Sequence, residues 1–323
     1  MDESDKIVVG ERSRVASVGW GARLLDLQAP NGQWGGGTFF PHWVSTFYTL
    51  LELRELGLDP TSERARRAIG LVRENVTWGP EFDDAPYFEG EVEPCINGRV
   101  LALGAYFGEA SDRLLDRLLH EQQADGGWNC EAPPSKRSSF HTTICVLEGL
   151  LEYEKAKGTT TAVRDARLRG QEYLLERSMF RSLSTGEVID PDWRQFSFPT
   201  RWHYDVLWGL DYLRRAGVTP DPRVAEAIDL VERKRDSDGR WPLENPHAVR
   251  STSTWKTAPA NLAAGTHSAH CECWTGIEHE TNPDATVQAL ANSAGTRIIA
   301  GSLAPRRLAR PRRLACRSAL PHL

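Results

Sequence analysis

The segment E-Q-Q-A-D-G-G-W-N-C-E, residues 121–131, decides how this sequence is interpreted. It follows S-D-R-L-L-D-R-L-L-H, whose leucines recur at the spacing of an amphipathic helix. The D-G-G step predicts a helix stop, because glycine readily adopts the positive φ that a reversing chain needs. A tryptophan stands directly behind this stop. The segment therefore predicts a helix, a tight turn and a large ring that packs over them.

This order of helix, polar turn and tryptophan recurs along the chain. L-L-D-L-Q-A-P-N-G-Q-W (Leu24–Trp34) and V-E-R-K-R-D-S-D-G-R-W (Val231–Trp241) match L-L-H-E-Q-Q-A-D-G-G-W (Leu118–Trp128). A weaker copy ends at Trp78 and a diverged copy at Trp193. We expect the glutamines to bond neighbouring helix ends and each tryptophan to join one repeat to the next.

A second kind of helix follows each tryptophan, poor in charge and rich in small or apolar residues. The four clearest examples are S-T-F-Y-T-L-L-E-L (Ser45–Leu53), C-I-N-G-R-V-L-A-L-G-A-Y (Cys95–Tyr106), H-T-T-I-C-V-L-E-G-L-L-E-Y (His141–Tyr153) and W-H-Y-D-V-L-W-G-L-D-Y-L (Trp202–Leu213). No segment alternates like a strand. The sequence therefore predicts an all-α fold of about five helical hairpins, with a period of roughly 45 to 65 residues.

Composition narrows the functional classes. The chain has 323 residues, 40% of them hydrophobic, and its net charge of -5 gives no signal for nucleic acid. It contains no run of about 18 apolar residues that would predict a transmembrane helix. M-D-E-S-D-K at the start lacks the apolar core of a signal peptide, so we expect a cytoplasmic protein with mostly reduced cysteines. We expect an arm over residues 1–14, the repeat domain over 15–250 and an irregular tail over 251–323.

The motifs Q-Q-A-D-G-G-W, Q-A-P-N-G-Q-W and D-S-D-G-R-W resemble the QW repeats of squalene–hopene and oxidosqualene cyclases and the repeats of protein prenyltransferase β-subunits. The resemblance covers about residues 15–247. It implies an α/α toroid, in which inner helices lie within an outer ring, and a cavity for an isoprenoid or other lipidic substrate. Three functions stay open: a cyclase or prenyltransferase, a zinc-assisted transferase or cyclase, and a non-catalytic lipid-binding or scaffolding toroid.

The catalytic motifs of those families are not reproduced. Class II cyclases protonate their substrate with a D-x-D-D motif, and the nearest matches here are Asp83-Asp84 and Asp190-Pro191-Asp192. Protein prenyltransferases bind zinc partly through a D-x-C motif, which this sequence lacks.

The acidic loop E-F-D-D-A-P-Y-F-E-G-E-V-E, residues 81–93, is one candidate site. Asp83 and Asp84 could act as acids, since carboxylates near aromatic rings can have raised pKa values. They could also hold Mg²⁺ for a diphosphate. Tyr87 and Phe88 would then contact substrate. The alternative is a solvated surface loop.

A zinc site is the second candidate. When the inner helices are aligned, Cys95 and His141 occupy the same position near the helix start in consecutive repeats. Cys130 lies on the same side, and His203 begins a further inner helix. Ring closure would bring these thiols and imidazoles to one opening, where they could bind zinc tetrahedrally. The alternative is buried reduced thiols and helix-capping histidines.

R-W-H-Y-D, residues 201–205, is the third candidate. His203 and Asp205 could form an acid–base pair, and Arg201 could meet an anion at a helix N-terminus. The alternative is a set of capping hydrogen bonds. Aromatic rings could stabilise cationic intermediates of a lipidic substrate. Those expected on the inner helices are Phe47, Tyr48, Tyr106, Phe140, Trp202, Tyr204 and Trp208.

The tail departs from the repeat. After D-G-R-W-P-L-E-N-P-H (Asp238–His247) an inner helix is due, but Ser251–Leu323 shows no helical period. From Arg250, the genetic code permits a reading one base earlier that contains S-R-W-N-T-L-R-A-L, which resembles T-R-W-H-Y-D-V-L-W (Thr200–Trp208). The hypothesis is a frameshift near His247–Arg250, which the nucleotide sequence tests.

Overall fold

A computed structural model of the protein describes residues 6–80, 83–90, 93–237 and 239–245. This part of the chain is helical, with three isolated β-bridges and no strand, so the all-α prediction is confirmed. Its α-helices are α1 (Lys6–Arg14), α2 (Gly19–Asp26), α3 (Thr46–Glu55), α4 (Glu63–Asn75), α5 (Pro94–Phe107), α6 (Asp112–His120), α7 (Phe140–Lys157), α8 (Thr161–Glu176), α9 (Val206–Arg215) and α10 (Ala225–Arg233). The segment expected to be the N-terminal arm contains α1, and the tail after residue 245 lies outside the described residues.

The chain divides into two compact units, which are described separately. The α9 unit comprises the described residues among 1–27, 55–59 and 171–245, and the α7 unit comprises those among 28–54 and 60–170. The toroid stays a prediction. Among the described helices, none combines the length and apolar character that crossing a membrane requires.

The turn that ends each charged helix has the predicted conformation in its three clearest copies. The turn glycines Gly32, Gly126 and Gly239 have φ values of 85°, 93° and 74°. Each donates its backbone N–H to the carbonyl three residues earlier, at 2.8, 3.0 and 2.9 Å respectively. The positive φ explains the glycine, because a side chain would be strained in that conformation.

The glutamine of the motif bonds neighbouring helices as the sequence predicts. Gln122 Nε2 donates to Gly126 O at 2.6 Å and to Ala166 O of α8 at 2.8 Å. Gln28 Nε2 likewise donates to Gly32 O at 2.9 Å. Gln28 also meets α4, where its Oε1 accepts from Arg64 Nε at 2.8 Å. In both copies, one amide therefore closes its own turn and ties that turn to the next helix.

The tryptophan packs as predicted. Trp128 is fully buried, and its Nε1 donates to Leu118 O at 2.7 Å. Trp241 Nε1 repeats this bond to Val231 O at 2.8 Å. A Cβ on Gly170 would lie 2.9 Å from the Trp128 ring, so the indole rests directly on α8. The ring therefore joins the helix before it to the helix of the following hairpin.

The core of the α7 unit is the contact between α5 and α7, which are buried on most sides as predicted for the second kind of helix. Their backbones approach closely at glycine. A Cβ on Gly149 would lie 2.6 Å from Gly98 O, and one on Gly98 would lie 2.6 Å from Cys145 O. The start of α5 also lies beside the segment leading into α7, so the two helices run in the same direction.

Candidate metal centre

Three side chains with metal-binding atoms converge at the shared N-terminal side of α5 and α7. Pro94 is the first residue of α5, where proline is favoured because its fixed φ suits a helix start. This start places Glu93 and Cys95 on either side of the proline. Cys130 follows two residues after the anchored Trp128 in the segment before α7. Both thiols are therefore positioned by fixed backbone.

The distances define a compact group. Cys130 Sγ lies 2.9 Å from Cys95 Sγ, and Cys95 Sγ lies 3.8 Å from Glu93 Oε2. One donor atom from each of the three residues lies within 4.8 Å of the others. Thr142 Oγ1 of α7 also lies 3.3 Å from Cys130 Sγ and accepts the Cys130 backbone N–H at 3.4 Å.

The donor set suits zinc. Two thiolates and a carboxylate are ordinary zinc ligands, and three protein ligands leave a fourth position for substrate. Cys95 and Glu93 are 8% and 5% exposed, whereas Cys130 is half-buried, so the group is open on the Cys130 side. Tetrahedral zinc with Zn–S bonds of about 2.3 Å separates two sulfur atoms by about 3.8 Å. The thiols would therefore move apart by about 0.9 Å to bind the ion.

Among the described residues, the group of metal-binding side chains includes neither histidine of the predicted zinc site. His141 is the second residue of α7, half-buried, and is not part of the Glu93–Cys95–Cys130 group. His203 belongs to the α9 unit, where its ring stacks on Trp202 with the centroids 3.8 Å apart. Their roles as ligand or acid–base residue stay predictions.

The acidic loop separates into an exposed and a buried part. Asp83 and Asp84 are exposed and have φ values of 55° and 48° in a turn that precedes the short helix Tyr87–Glu89. Tyr87 and Phe88 are buried instead. The Tyr87 ring contacts Phe39, Phe47, Trp78 and Phe88, with centroids 4.8 to 6.4 Å apart. The described contacts of this aromatic pair are therefore packing contacts, and substrate contact stays a prediction.

Asp205 caps α9. Its carboxylate accepts the backbone N–H of Trp208 at 2.8 Å, the hydroxyl of Ser197 at 2.8 Å and the backbone N–H of Ser197 at 3.1 Å. The side chain is buried, and this burial raises its pKa to about 6 although the hydrogen bonds oppose the shift. These bonds match the alternative interpretation of residues 201–205, in which the polar side chains form capping hydrogen bonds.

The other predicted residues near Asp205 and α7 are mostly buried. Tyr204 donates its hydroxyl to Met179 O at 2.7 Å, and burial raises the pKa of this phenol well above its usual value. Arg201 is buried with a φ of 58°. Phe140, the first residue of α7, and Trp208 of α9 are also buried, whereas Trp202 is half-buried.

Sequence reasoning missed two features. The first is Glu93, the last residue of the acidic loop. The order Glu93-Pro94-Cys95 indicates that the two side chains flank one helix start, because proline favours the first position of a helix. The second is His42, which lies in an aromatic cluster of the α7 unit that also contains the predicted aromatic residue Tyr48. The His42 ring contacts other rings at centroid distances of 4.6 to 6.3 Å, and burial lowers its pKa. The members of this cluster are Phe39, Phe40, His42, Trp43 and Tyr48, and all except Phe39 are half-buried.

Neither protein-family models, nor curated proteins, nor solved structures give a match to this chain. Function is therefore inferred from the repeat motif and from the side-chain geometry.

Proposed function

We propose that this chain is a zinc-assisted transferase or cyclase of the α/α-toroid class that acts on an isoprenoid or similar lipidic substrate. Glu93, Cys95 and Cys130 would hold the ion. The observation that carries the proposal is the convergence of two Sγ atoms and a carboxylate oxygen within 4.8 Å of one another. A group of this chemistry, with one half-buried thiol, matches a three-ligand catalytic zinc site more closely than a closed structural one.

The residues of the group have separable tasks. Cys95 and Glu93 are fixed at the start of α5, where the helix dipole favours negatively charged side chains. Cys130 faces the open side, so it lies where a substrate would approach. Thr142 positions the Cys130 backbone by accepting its N–H. A bound zinc ion supplies Lewis-acid activation or stabilises a substrate thiolate.

The toroid and the lipidic substrate have their own support. Three copies of the turn share one geometry, and α5 and α7 run in the same direction with their N-terminal ends together. Both features are expected of hairpins that close into a ring, and they support the proposal. The half-buried aromatic cluster around His42 lies in the same unit as the thiols and offers an apolar surface.

The acid-initiated cyclase has less support. Asp205 is held by three hydrogen bonds as a helix cap, and Asp83 and Asp84 lie exposed outside the three-ligand group. Mg²⁺ binding by these two aspartates therefore has no additional support. The third possibility, a toroid that binds lipid without catalysis, is tested by the turnover experiment below.

The test is the zinc content of the purified full-length chain after dialysis. Cys271, Cys273 and Cys316 are replaced by serine throughout, because tail thiols could bind zinc themselves. We expect one zinc ion per chain and a loss of affinity of more than about tenfold in Glu93→Gln, Cys95→Ser and Cys130→Ser, since even outer residues of zinc sites typically contribute that much. His141→Ala and Cys145→Ser are the matched controls and should retain the ion.

Turnover separates the functional alternatives. The zinc-loaded chain is incubated with polyprenyl diphosphates, with and without a thiol acceptor, and compared with Cys130→Ser. Zinc-dependent product formation supports the enzyme. Zinc binding with lipid binding but no product would indicate the non-catalytic toroid, and a chain that binds no zinc would contradict the proposed site.

A further inference from the structure

We propose that Cys95 and Cys130 are a redox-active pair that reacts reversibly with a low-molecular-weight disulfide such as glutathione disulfide, and that their disulfide and zinc exclude each other. The dithiol reaction rests on the geometry of the two thiols alone. The mutual exclusion rests on the proposed zinc function of the same site.

The separation of the sulfur atoms is the first observation. Their distance of 2.9 Å lies between the length of a disulfide bond, about 2.0 Å, and the separation of about 3.8 Å in tetrahedral zinc coordination. Each state therefore needs a displacement of about 0.9 Å, in opposite directions. Small side-chain rotations supply such a displacement, but one pair of sulfur atoms cannot satisfy both distances at once.

The fixed backbone on both sides is the second observation. Cys95 follows the helix-starting Pro94, and Cys130 follows the buried Trp128. Asn129, which lies between Trp128 and Cys130, fixes the backbone there: its Nδ2 donates to Ser135 Oγ at 3.0 Å and to Arg137 O at 2.6 Å. The thiols, 35 residues apart in sequence, therefore face each other before any bond forms, which favours reaction within the pair.

The difference in burial sets the order of events. Cys130 is half-buried and Cys95 is buried, so the Cys130 thiolate meets an external disulfide first. It attacks one sulfur of glutathione disulfide, forms a mixed disulfide and releases one glutathione thiolate, which takes up a proton. Cys95 then loses its proton and attacks Cys130 Sγ, which releases the second glutathione. The two protein thiols are oxidised by two electrons, and one glutathione disulfide is reduced to two glutathione molecules.

Cys145 provides a built-in control. It is buried in α7, and its carbonyl packs where α7 meets Gly98 of α5. It belongs to the same unit as the reactive pair, but it is not one of the three grouped donor residues. We therefore expect it to keep a free thiol under conditions that oxidise the pair.

The experiment uses the full chain with the three tail cysteines replaced by serine. The metal-free protein is equilibrated anaerobically with defined ratios of glutathione and its disulfide, quenched in acid, alkylated and mapped by mass spectrometry. We expect a Cys95–Cys130 cross-link with a defined midpoint ratio and an alkylated Cys145. Cys95→Ser should accumulate a stable glutathione adduct on Cys130, and Cys130→Ser should react at least tenfold more slowly.

Two outcomes would overturn the redox pair: cross-links that include Cys145, or an adduct on Cys95 in Cys130→Ser that forms at the wild-type rate. Zinc loading then tests exclusion. We expect zinc to slow cross-linking at least tenfold and oxidation to release the ion, measured with a zinc-sensitive dye. Cross-linking that zinc leaves unchanged would contradict the metal site but retain the redox pair. Zinc binding without any cross-link would retain the metal site and contradict the redox pair.

Discussion

The contact between α5 and α7 can be tested by adding one methyl group. In Gly149→Ala, the new Cβ would lie 2.6 Å from Gly98 O, whereas ordinary contact begins near 3.4 Å. The neighbouring atoms are backbone, so the two helices must separate by about 0.8 Å. Overpacking of this kind typically costs about 1–3 kcal/mol, while replacing a helical glycine with alanine gains about 1 kcal/mol in propensity. We therefore expect a net loss of up to about 2 kcal/mol in the free energy of unfolding.

Gly70→Ala is the matched control, because Gly70 lies within α4 and a Cβ there would have no atom within 4 Å. Only the propensity gain applies, so this variant should be more stable by up to about 1 kcal/mol. The assay is urea unfolding of the full chain, followed by circular dichroism. If Gly149→Ala were stabilised as much as Gly70→Ala, the close approach of α5 and α7 would be refuted.

The remaining predictions concern the turn and the α9 cap. Gln122→Ala removes two hydrogen bonds to backbone carbonyls and should lower the free energy of unfolding by about 1–2 kcal/mol in the same urea assay. Gln195→Ala is the control: it removes one exposed hydrogen bond and should change the free energy of unfolding little. Trp128→Phe removes the Nε1 donor and ring volume, and a drop of about 2–3 kcal/mol is expected; an unchanged midpoint would contradict the buried role of this indole. For Asp205, the folded-state pKa of about 6 lies above the usual 3.8, so its contribution to stability is fully present below the lower value and is lost as pH rises through 6. Asp205→Asn should therefore flatten stability measured between pH 4 and pH 7, and an unaltered slope would count against the raised pKa.

The repeat could be predicted because its determinants are local. The positive φ at Gly126 and the helical spacing before it depend on residues adjacent in sequence. Gln122 and Trp128 then reach atoms of their own turn and helix as well as α8. A motif of this kind retains its geometry wherever it occurs, and the copies ending at Trp34 and Trp241 therefore resemble it.

The candidate site could be predicted only in part, because it depends on how separate helices pair. Cys95 and His141 occupy equal positions in consecutive repeats, so the sequence predicts that both bind zinc. Consecutive residues on a helix point about 100° apart, however, so an error of one residue changes which side chain faces the thiols. Thr142, one residue later, is the residue whose side chain contacts Cys130. Glu93 joins the group only because α5 begins at Pro94 directly after it, and the register of α5 against α7 is set by the close contact at Gly98.

X-ray absorption at the zinc edge tests the central claim most directly, on the full chain with its three tail cysteines replaced by serine. We expect one ion with two sulfur neighbours at about 2.3 Å, oxygen neighbours at about 2.0–2.2 Å and no imidazole scattering. Glu93→Gln should alter the oxygen shell, and His141→Ala should leave the spectrum unchanged. A chain that binds no zinc, or a spectrum with imidazole scattering that disappears in His141→Ala, would contradict a site built from Glu93, Cys95 and Cys130.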